Sequence, residues 1–220
     1  MTGGRADDLT GSVGDPSSDR DEERMARRMS TMGLPVQPPS PEGRSDGLIT
    51  IGVLIEVPPP FGAQLQAWRA DFGDPLAWLI PAHVTLLPPT VVTDVQVDEI
   101  EEHLVKIAAG TRPFGVRLSG TDSFRPVSPV VYVRVIDGIE ACDELQRRIR
   151  TGPLERELHF PFHPHVTVAH ELEPSALDRA QRTLTGYTAD FLVDSIGLYE
   201  HGRDGHWRNR LRFGFGLAGP

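Results

Sequence analysis

Apolar and polar positions follow two periods along this chain, and the two periods separate strands from helices. Nearly every position from 48 to 57 is apolar and many are β-branched, which predicts a buried central strand. From 61 to 72 the large apolar residues recur every three or four positions, which predicts a helix. A second helix is predicted over 95–109, where Gly110 follows as the C-terminal cap.

The same patterns give the remaining elements. Strands are predicted over 76–87, closed by Pro88-Pro89, and over 114–118, 130–135, 165–169, 187–201 and 207–215. The last two strands form a hairpin that turns at 202–205. Helices are predicted over 139–154 and 174–184, and the second of these begins with Pro174. Trp78 is expected in the core, on the strand face opposite His83.

A four-residue pattern occurs twice, as His83-Val84-Thr85-Leu86 and as His165-Val166-Thr167-Val168. Side chains alternate between the two faces of a strand, so each copy places His and Thr on one face and two apolar residues on the other. Each copy is also followed by a predicted helix. This weak internal duplication predicts an α+β fold of two similar lobes with a groove between them.

The paired pattern suits the hydrolysis of a phosphodiester. One group must deprotonate water and another must protonate the departing oxygen, on opposite sides of phosphorus. His83 and His165 can divide these tasks because imidazole titrates near neutral pH. Thr85 and Thr167 are predicted to donate hydrogen bonds to the phosphate oxygens. A single His-x-Thr in a strand most often reflects packing, but two copies in the same phase favour function. The scheme requires no metal and no cofactor.

Composition narrows the class of protein. The 220 residues carry a formal net charge of −9, which argues against stable, non-specific DNA binding. We find no signal peptide and no apolar stretch of membrane-spanning length in the sequence, so no membrane association is expected.

One cysteine, Cys142, cannot form an intramolecular disulfide, which fits the cytoplasm, and its place in a helix favours burial. A monomer is the default expectation.

The first part of the chain differs in composition from the rest. Residues 1–46 are rich in Gly, Ser, Asp, Arg and Pro and poor in aromatic residues. Such a segment buries too little apolar surface to offset its ordering entropy, so a disordered tail with a Pro-rich linker is predicted. A short charged helix over 19–32 would be marginal by itself. Residues 47–220 are predicted to form one domain.

Two longer runs carry a resemblance to a known family. Residues 161–169 read Pro-Phe-His-Pro-His-Val-Thr-Val-Ala, and residues 81–86 read Pro-Ala-His-Val-Thr-Leu. Both are similar to the motifs of the two-histidine (2H) phosphoesterase superfamily, whose members include 2′-5′ RNA ligases and RNA 2′,3′-cyclic phosphodiesterases. The final hairpin, beginning at Ile196-Gly197-Leu198-Tyr199, also resembles that family. The resemblance covers residues 48–215.

The resemblance implies a bilobal, pseudo-twofold α+β fold with an antiparallel-rich sheet and helices in each lobe and a central cleft. It also implies metal-independent hydrolysis of 2′,3′-cyclic or 2′-5′ phosphodiesters, with an RNA 3′ end or a small cyclic nucleotide as the substrate. By analogy His83 is the acid and His165 the base, although pseudo-symmetry makes these roles exchangeable. Many relatives carry Arg where this chain has His170. That departure keeps open a non-catalytic module that binds an RNA end or a nucleotide in the same cleft.

Further residues are candidates for substrate contact. For Tyr199 the sequence favours base stacking and packing within the hairpin equally, whereas Trp207 is assigned to packing within the hairpin. His163 is expected in the cleft wall, while Phe124 and Arg125 lie in a loop that contacts a base or a phosphate, or serves as an ordinary connection.

The four histidines at 159, 163, 165 and 170 raise a metal site as an alternative. His163 and His165 would share a strand face, but the sequence offers no evident third ligand and Pro164 distorts the run. His159 and His170 are therefore expected at the surface, and no metal is predicted.

Overall fold

The computed structural model describes residues 47–157 and 160–216. The predicted tail, the short helix over 19–32 and His159 lie outside this range. Eight strands are present in the described part, namely β1 (Leu48–Glu56), β2 (His83–Thr93), β3 (Phe114–Ser123), β4 (Val130–Asp137), β5 (His165–His170), β6 (Thr188–Val193), β7 (Ser195–His201) and β8 (Trp207–Gly214). Four α-helices accompany them, namely α1 (Phe61–Phe72), α2 (Val97–Ala109), α3 (Ile139–Ile149) and α4 (Pro174–Thr183).

The strands form two antiparallel sheets of four. The first has the order β2-β1-β7-β8 and the second has the order β5-β4-β3-β6. Both strands that carry the His-Thr pattern, β2 and β5, therefore lie at the edge of their sheets. These two edges contact each other. The predicted α+β architecture of two similar lobes is thus confirmed.

Helices α2 and α3 cover the sheets through the apolar faces that their periodicity predicted. In α1 the predicted face is partly wrong, because Trp68 is 38% exposed and Arg69 is buried instead. Helix α2 packs on β8 and α3, whereas α4 packs on β3, β4 and β5. Ile100, Leu104 and Ile149 are among the fully buried residues, and so is the thiol of Cys142, as predicted. Apolar residues from both sheets and all four helices form one continuous core. No helix in the described ranges is long and apolar enough to cross a membrane.

Strand β2 differs from its prediction at both ends. It begins at His83 and continues through Pro88-Pro89 to Thr93. Proline is tolerated there because β2 is an edge strand, and a register shift against β1 absorbs the proline pair as a bulge. Residues 76–82 are not part of the strand, and Trp78, expected in the core, is 62% exposed. The strand-phase argument placed it wrongly because no strand is present at that position.

The segment predicted as one strand over 187–201 is two strands in different sheets. Strand β6 ends at Val193 in the second sheet and β7 begins at Ser195 in the first. The chain crosses between the lobes at Asp194, whose carbonyl accepts a hydrogen bond of 2.7 Å from the amide of Phe215. The strand-like pattern over 187–201 does not reveal such a crossing, because it continues on both sides of Asp194. Helix α3 is also shorter than predicted and is followed by a 3₁₀ turn, Gly152–Leu154.

Candidate functional site

The two His-Thr patterns line one cleft, where the edge strands β2 and β5 meet. His83, Thr85, His165 and Thr167 all contribute half-buried side chains to it. The remaining lining residues are Gly52, Val53, Leu54, Arg69, Leu76, Ile80, Leu87, Pro89, His170 and Trp207. The alternation of each strand explains the convergence, because Val84, Leu86, Val166 and Val168 are buried in the core on the opposite faces.

The two imidazoles are oriented by the same kind of hydrogen bond, from Nδ1 to a backbone carbonyl oxygen. Nδ1 of His83 lies 2.7 Å from the carbonyl oxygen of Pro81, and Nδ1 of His165 lies 2.7 Å from that of His163. A carbonyl oxygen can only accept, so Nδ1 carries the proton in both neutral rings. The other nitrogen, Nε2, is then a free base in each case. In each case the backbone carbonyl of the residue two positions earlier therefore sets the tautomer of the histidine.

Burial lowers the pKa of both imidazoles from its ordinary value to about 4. The carbonyl hydrogen bonds oppose this shift, while positive neighbours add to it. His165 is itself one of the groups that lower the pKa of His83, so the two rings lie within electrostatic reach of each other. Both rings are neutral at pH 7, and a phosphate anion between them would favour their protonated forms.

A buried ion pair, missed by the sequence analysis, forms another wall of the cleft. Arg69 on α1 donates from Nε and Nη2 to Oδ2 of Asp74, at 3.0 and 2.7 Å. Both side chains are almost completely buried. Among the described residues that line the cleft, Arg69 is the one with a permanent charge. Helix α1 therefore brings a guanidinium to the same cleft as the two histidines.

His170 was predicted at the surface, and this prediction is wrong. It is 6% exposed and lines the cleft near the Arg69–Asp74 pair. It ends the short strand β5, in which the core completely buries Val166, Val168 and Ala169. Burial lowers the pKa of His170, while the carboxylates of Glu171 and Asp74 act in the opposite direction.

Replacing Asp74 by Asn is expected to lower the free energy of unfolding by about 3 kcal/mol, because it leaves the buried Arg69 guanidinium without its counter-charge. Urea denaturation measures the change. Asp143→Asn, which alters an exposed i,i+4 pair with Arg147, is the matched control and should change stability by less than about 1 kcal/mol. Equal effects of the two substitutions would contradict a special role for the buried pair.

Phe124 and His163, both predicted contacts, lie beside His165. The ring of Phe124 is 5.0 Å from that of His165 and 5.8 Å from that of His163, centroid to centroid. Tyr132, which pairs with Thr167 across β4 and β5, completes the aromatic cluster, 4.4 Å from Phe124. These rings adjoin the second His-Thr pattern rather than lining the cleft itself. Their role in substrate contact stays a prediction.

Arg125 and Tyr199 have internal partners instead. Arg125 donates to Asp178 at 2.7 Å and to Gln181 at 2.9 Å, which ties its loop to α4. Tyr199 is 4% exposed and packs with Leu54, Trp207 and Ile80. Neither residue lines the cleft in the structure. Trp207 packs on the ring of His201, as predicted, and also reaches the cleft.

The histidine cluster of the sequence does not assemble a metal site among the described residues. Within residues 47–157 and 160–216, no three His, Cys, Asp or Glu side chains converge as metal ligands would. His159, one member of the sequence cluster, lies outside that range. The rings of His163 and His165 have centroids 6.1 Å apart.

Comparison with known proteins agrees with this geometry. The model of the 2′-5′ RNA ligase superfamily matches residues 57–205. A protein of Oceanobacillus iheyensis, named as a predicted phosphoesterase, is 33% identical over 139 residues, which are 61% of this chain and 79% of the relative. One of Halalkalibacterium halodurans with the same kind of name is 28% identical over 158 residues, covering 71% and 91%.

Solved structures share the fold. Escherichia coli LigT in complex with 3′-AMP superposes with a TM-score of 0.59 and 17% identity, covering 76% of this chain and 98% of LigT. LigT in complex with NADP⁺ gives a TM-score of 0.58 at 18% identity and the same coverage. The family match spans both His-Thr patterns, the whole of the second sheet, and strands β2 and β7 of the first. The chain therefore belongs to the 2′-5′ RNA ligase superfamily, the two-histidine phosphoesterases that its motifs resemble.

Proposed function

We propose that this protein is a metal-independent phosphodiesterase that opens 2′,3′-cyclic or 2′-5′ phosphodiesters of RNA ends or nucleotides. The observation that carries the proposal is the pair of imidazoles, one from each sheet, in a single cleft with free Nε2 atoms. Membership of a phosphoesterase family supports the reaction class. The nucleotide complexes of LigT support a ligand of this kind.

The reaction needs one imidazole neutral and the other protonated. Nε2 of the neutral ring takes a proton from water while the water oxygen forms a bond to phosphorus. The bond from phosphorus to the leaving oxygen breaks, and that oxygen receives the proton from Nε2 of the other ring. The two histidines exchange protonation states in one turnover, so solvent must restore them. Their pseudo-equivalent settings allow either direction.

The remaining cleft residues have roles that follow from their chemistry. Thr85 and Thr167 lie two residues beyond each histidine on the same strand faces, where their hydroxyls can donate to the non-bridging phosphate oxygens. Arg69 adds a positive charge to the wall of the cleft. Negative charge builds up on the phosphate during the displacement, and donors fixed in advance stabilise it without reorganisation.

The pKa values lead to a pH prediction. In the free enzyme both histidines titrate near pH 4, so the form with one proton becomes more populated as pH falls from 8 to 5. We expect kcat/KM to rise over that interval. The bound phosphodiester anion raises both pKa values, so the optimum of kcat should lie at higher pH than that of kcat/KM. Superimposable profiles, or a kcat/KM that falls with decreasing pH, would contradict this account.

The experiment that tests the function is a turnover assay on a panel of phosphodiesters. Each 2′,3′-cyclic mononucleotide and 2′-5′-linked dinucleotide is incubated with the protein in excess EDTA, and products are separated by chromatography. Hydrolysis that survives EDTA supports the proposal. Activity that EDTA abolishes and Zn²⁺ or Mn²⁺ restores would replace it by a metal-dependent reaction. Tight binding of these compounds without any product would favour the non-catalytic module instead.

A further inference from the structure

The two catalytic candidates have oppositely charged neighbours at equivalent positions. Glu56 on β1 is the register partner of His83, and Arg134 on β4 is the register partner of His165. Both β1 and β4 are second in the order of their sheets. Residues paired in this way share a sheet face, with Cβ atoms about 5 Å apart. Each side chain therefore lies on the same face as its histidine. Neither lines the cleft itself, but the surfaces that adjoin the cleft beyond His83 and beyond His165 differ in charge.

The Glu56 end adjoins a separate cavity of about 130 Å³. The hydroxyl of Tyr199 donates to Oε2 of Glu56 at 2.9 Å, which orients the carboxylate. Asn209 and Ser195 add polar groups to the lining. Arg212 also lines the cavity, but its guanidinium pairs with Asp194 at 3.2 Å, so the lining keeps the negative charge of Glu56. Gly197 keeps this surface open to both side chains, since a Cβ there would lie 2.6 Å from Tyr199 and 2.8 Å from Asn209.

A cavity of about 150 Å³ accommodates benzene, so the Glu56 cavity has room for one ring-sized group. A carboxylate accepts hydrogen bonds from hydroxyl groups and repels anions. The group best suited to this end is an uncharged sugar ring that carries hydroxyls. A ring with a further phosphate is disfavoured there.

The Arg134 end has the opposite preference. Arg134 is exposed and donates from Nε to the carbonyl oxygen of Ser119 at 3.2 Å. Its guanidinium also lies over Gly120, where an added Cβ would be 3.0 Å from Nη2. A guanidinium has five N–H donors and its fork matches phosphate oxygens, so donors remain for an anion at this end.

We propose that the protein distinguishes the two orientations in which a substrate can lie in the cleft. In the favoured orientation an uncharged sugar lies on the His83 side next to Glu56, and a second phosphate lies on the His165 side next to Arg134. This rests on the proposed function, because it describes the two groups that flank the scissile phosphate. It implies that the substrate is an oligonucleotide or dinucleotide with a phosphate beyond one end only.

Three probes test the direction: 2′-5′-linked diadenosine monophosphate, and the same compound with an added 5′-terminal or 3′-terminal phosphate. The readout is the ratio of kcat/KM between each phosphorylated probe and the parent. We expect one added phosphate to raise the ratio and the other to lower it, each by about tenfold at low salt. Salt at 0.5 M should reduce both effects, since exposed charges are screened.

Two charge-removing variants assign the effects to residues. Glu56→Gln should relieve the penalty at the disfavoured end, and Arg134→Gln should abolish the gain at the favoured end. Glu102→Gln on α2 and Arg147→Gln on α3, both exposed and outside the cleft lining, are the matched controls and should leave both ratios unchanged. A variant that altered both ends equally would overturn the proposal.

A binding measurement separates this inference from the proposed function. Dissociation constants of the three probes are measured by calorimetry with the His83→Gln/His165→Gln double variant, which should not consume them. Opposite effects of the two added phosphates on affinity support the directional cleft even if the wild-type protein turns over none of the probes. Equal affinities for the two phosphorylated probes would overturn it, whatever the turnover.

Discussion

Replacing either His83 or His165 by glutamine is expected to lower kcat by about 10²- to 10⁴-fold, the range that a positioned acid or base contributes. Each ring supplies one Nε2 to the cleft, and neither can perform both proton transfers in the same step. Steady-state turnover of a 2′,3′-cyclic nucleotide in EDTA measures the loss. The kcat of the double variant should be only slightly lower than that of the less active single variant, because the effects of residues that act together are not additive.

His206→Gln provides the control for this experiment. His206 is also a histidine of the first sheet's lobe, but it lies at the tip of the β7–β8 hairpin and pairs with Asp204. Its replacement should leave kcat within about twofold, and circular dichroism should confirm that all variants are folded. Full activity in both single cleft variants would remove the proposed mechanism.

Replacing Thr85 or Thr167 by valine is expected to lower kcat by about 10²-fold, a loss of the size seen when one donor to a developing oxyanion is removed. Valine has nearly the same shape, so the strand and its buried neighbours Val84 and Val166 should be undisturbed. The loss should fall mainly on kcat, because the hydroxyl bonds strengthen as charge builds up on the phosphate.

Thr188→Val is the matched control, since Thr188 is an exposed residue at the start of β6 in the second sheet. Serine at 85 or 167 should recover most of the activity by restoring the hydroxyl. A change in KM alone, with kcat preserved, would mean that the threonines bind substrate and transition state equally, contrary to the proposed role.

The part of the site that strand phase determines was predictable from sequence. A two-residue period places His83 and Thr85 together and sends Val84 and Leu86 to the core, whichever sheet they join. The copy at His165 obeys the same rule, so both pairs emerged from the pattern alone. The sequence pattern does not show that both strands lie at the edges of their sheets and contact each other. That information comes from the fold.

Other parts depended on contacts that no period encodes. Arg69 lies four positions after Leu65 on the buried face of its helix, and its pairing there with Asp74 is a contact that helix spacing does not show. His170 is buried because β5 ends against the core, which composition cannot show. The switch of sheets at Asp194 interrupts an apolar run that reads as one strand. Tertiary packing decided each of these positions over the local pattern.

The crossing at Asp194 has a consequence for how the molecule can be divided. The second sheet is contiguous in the chain, from β3 to β6, whereas the first combines β1 and β2 with β7 and β8. One lobe is thus inserted into the other and is tethered at both of its ends. No single backbone cut yields two self-contained halves, each holding its own histidine. Because the two lobes also share one apolar core, we expect them to unfold together in a single transition.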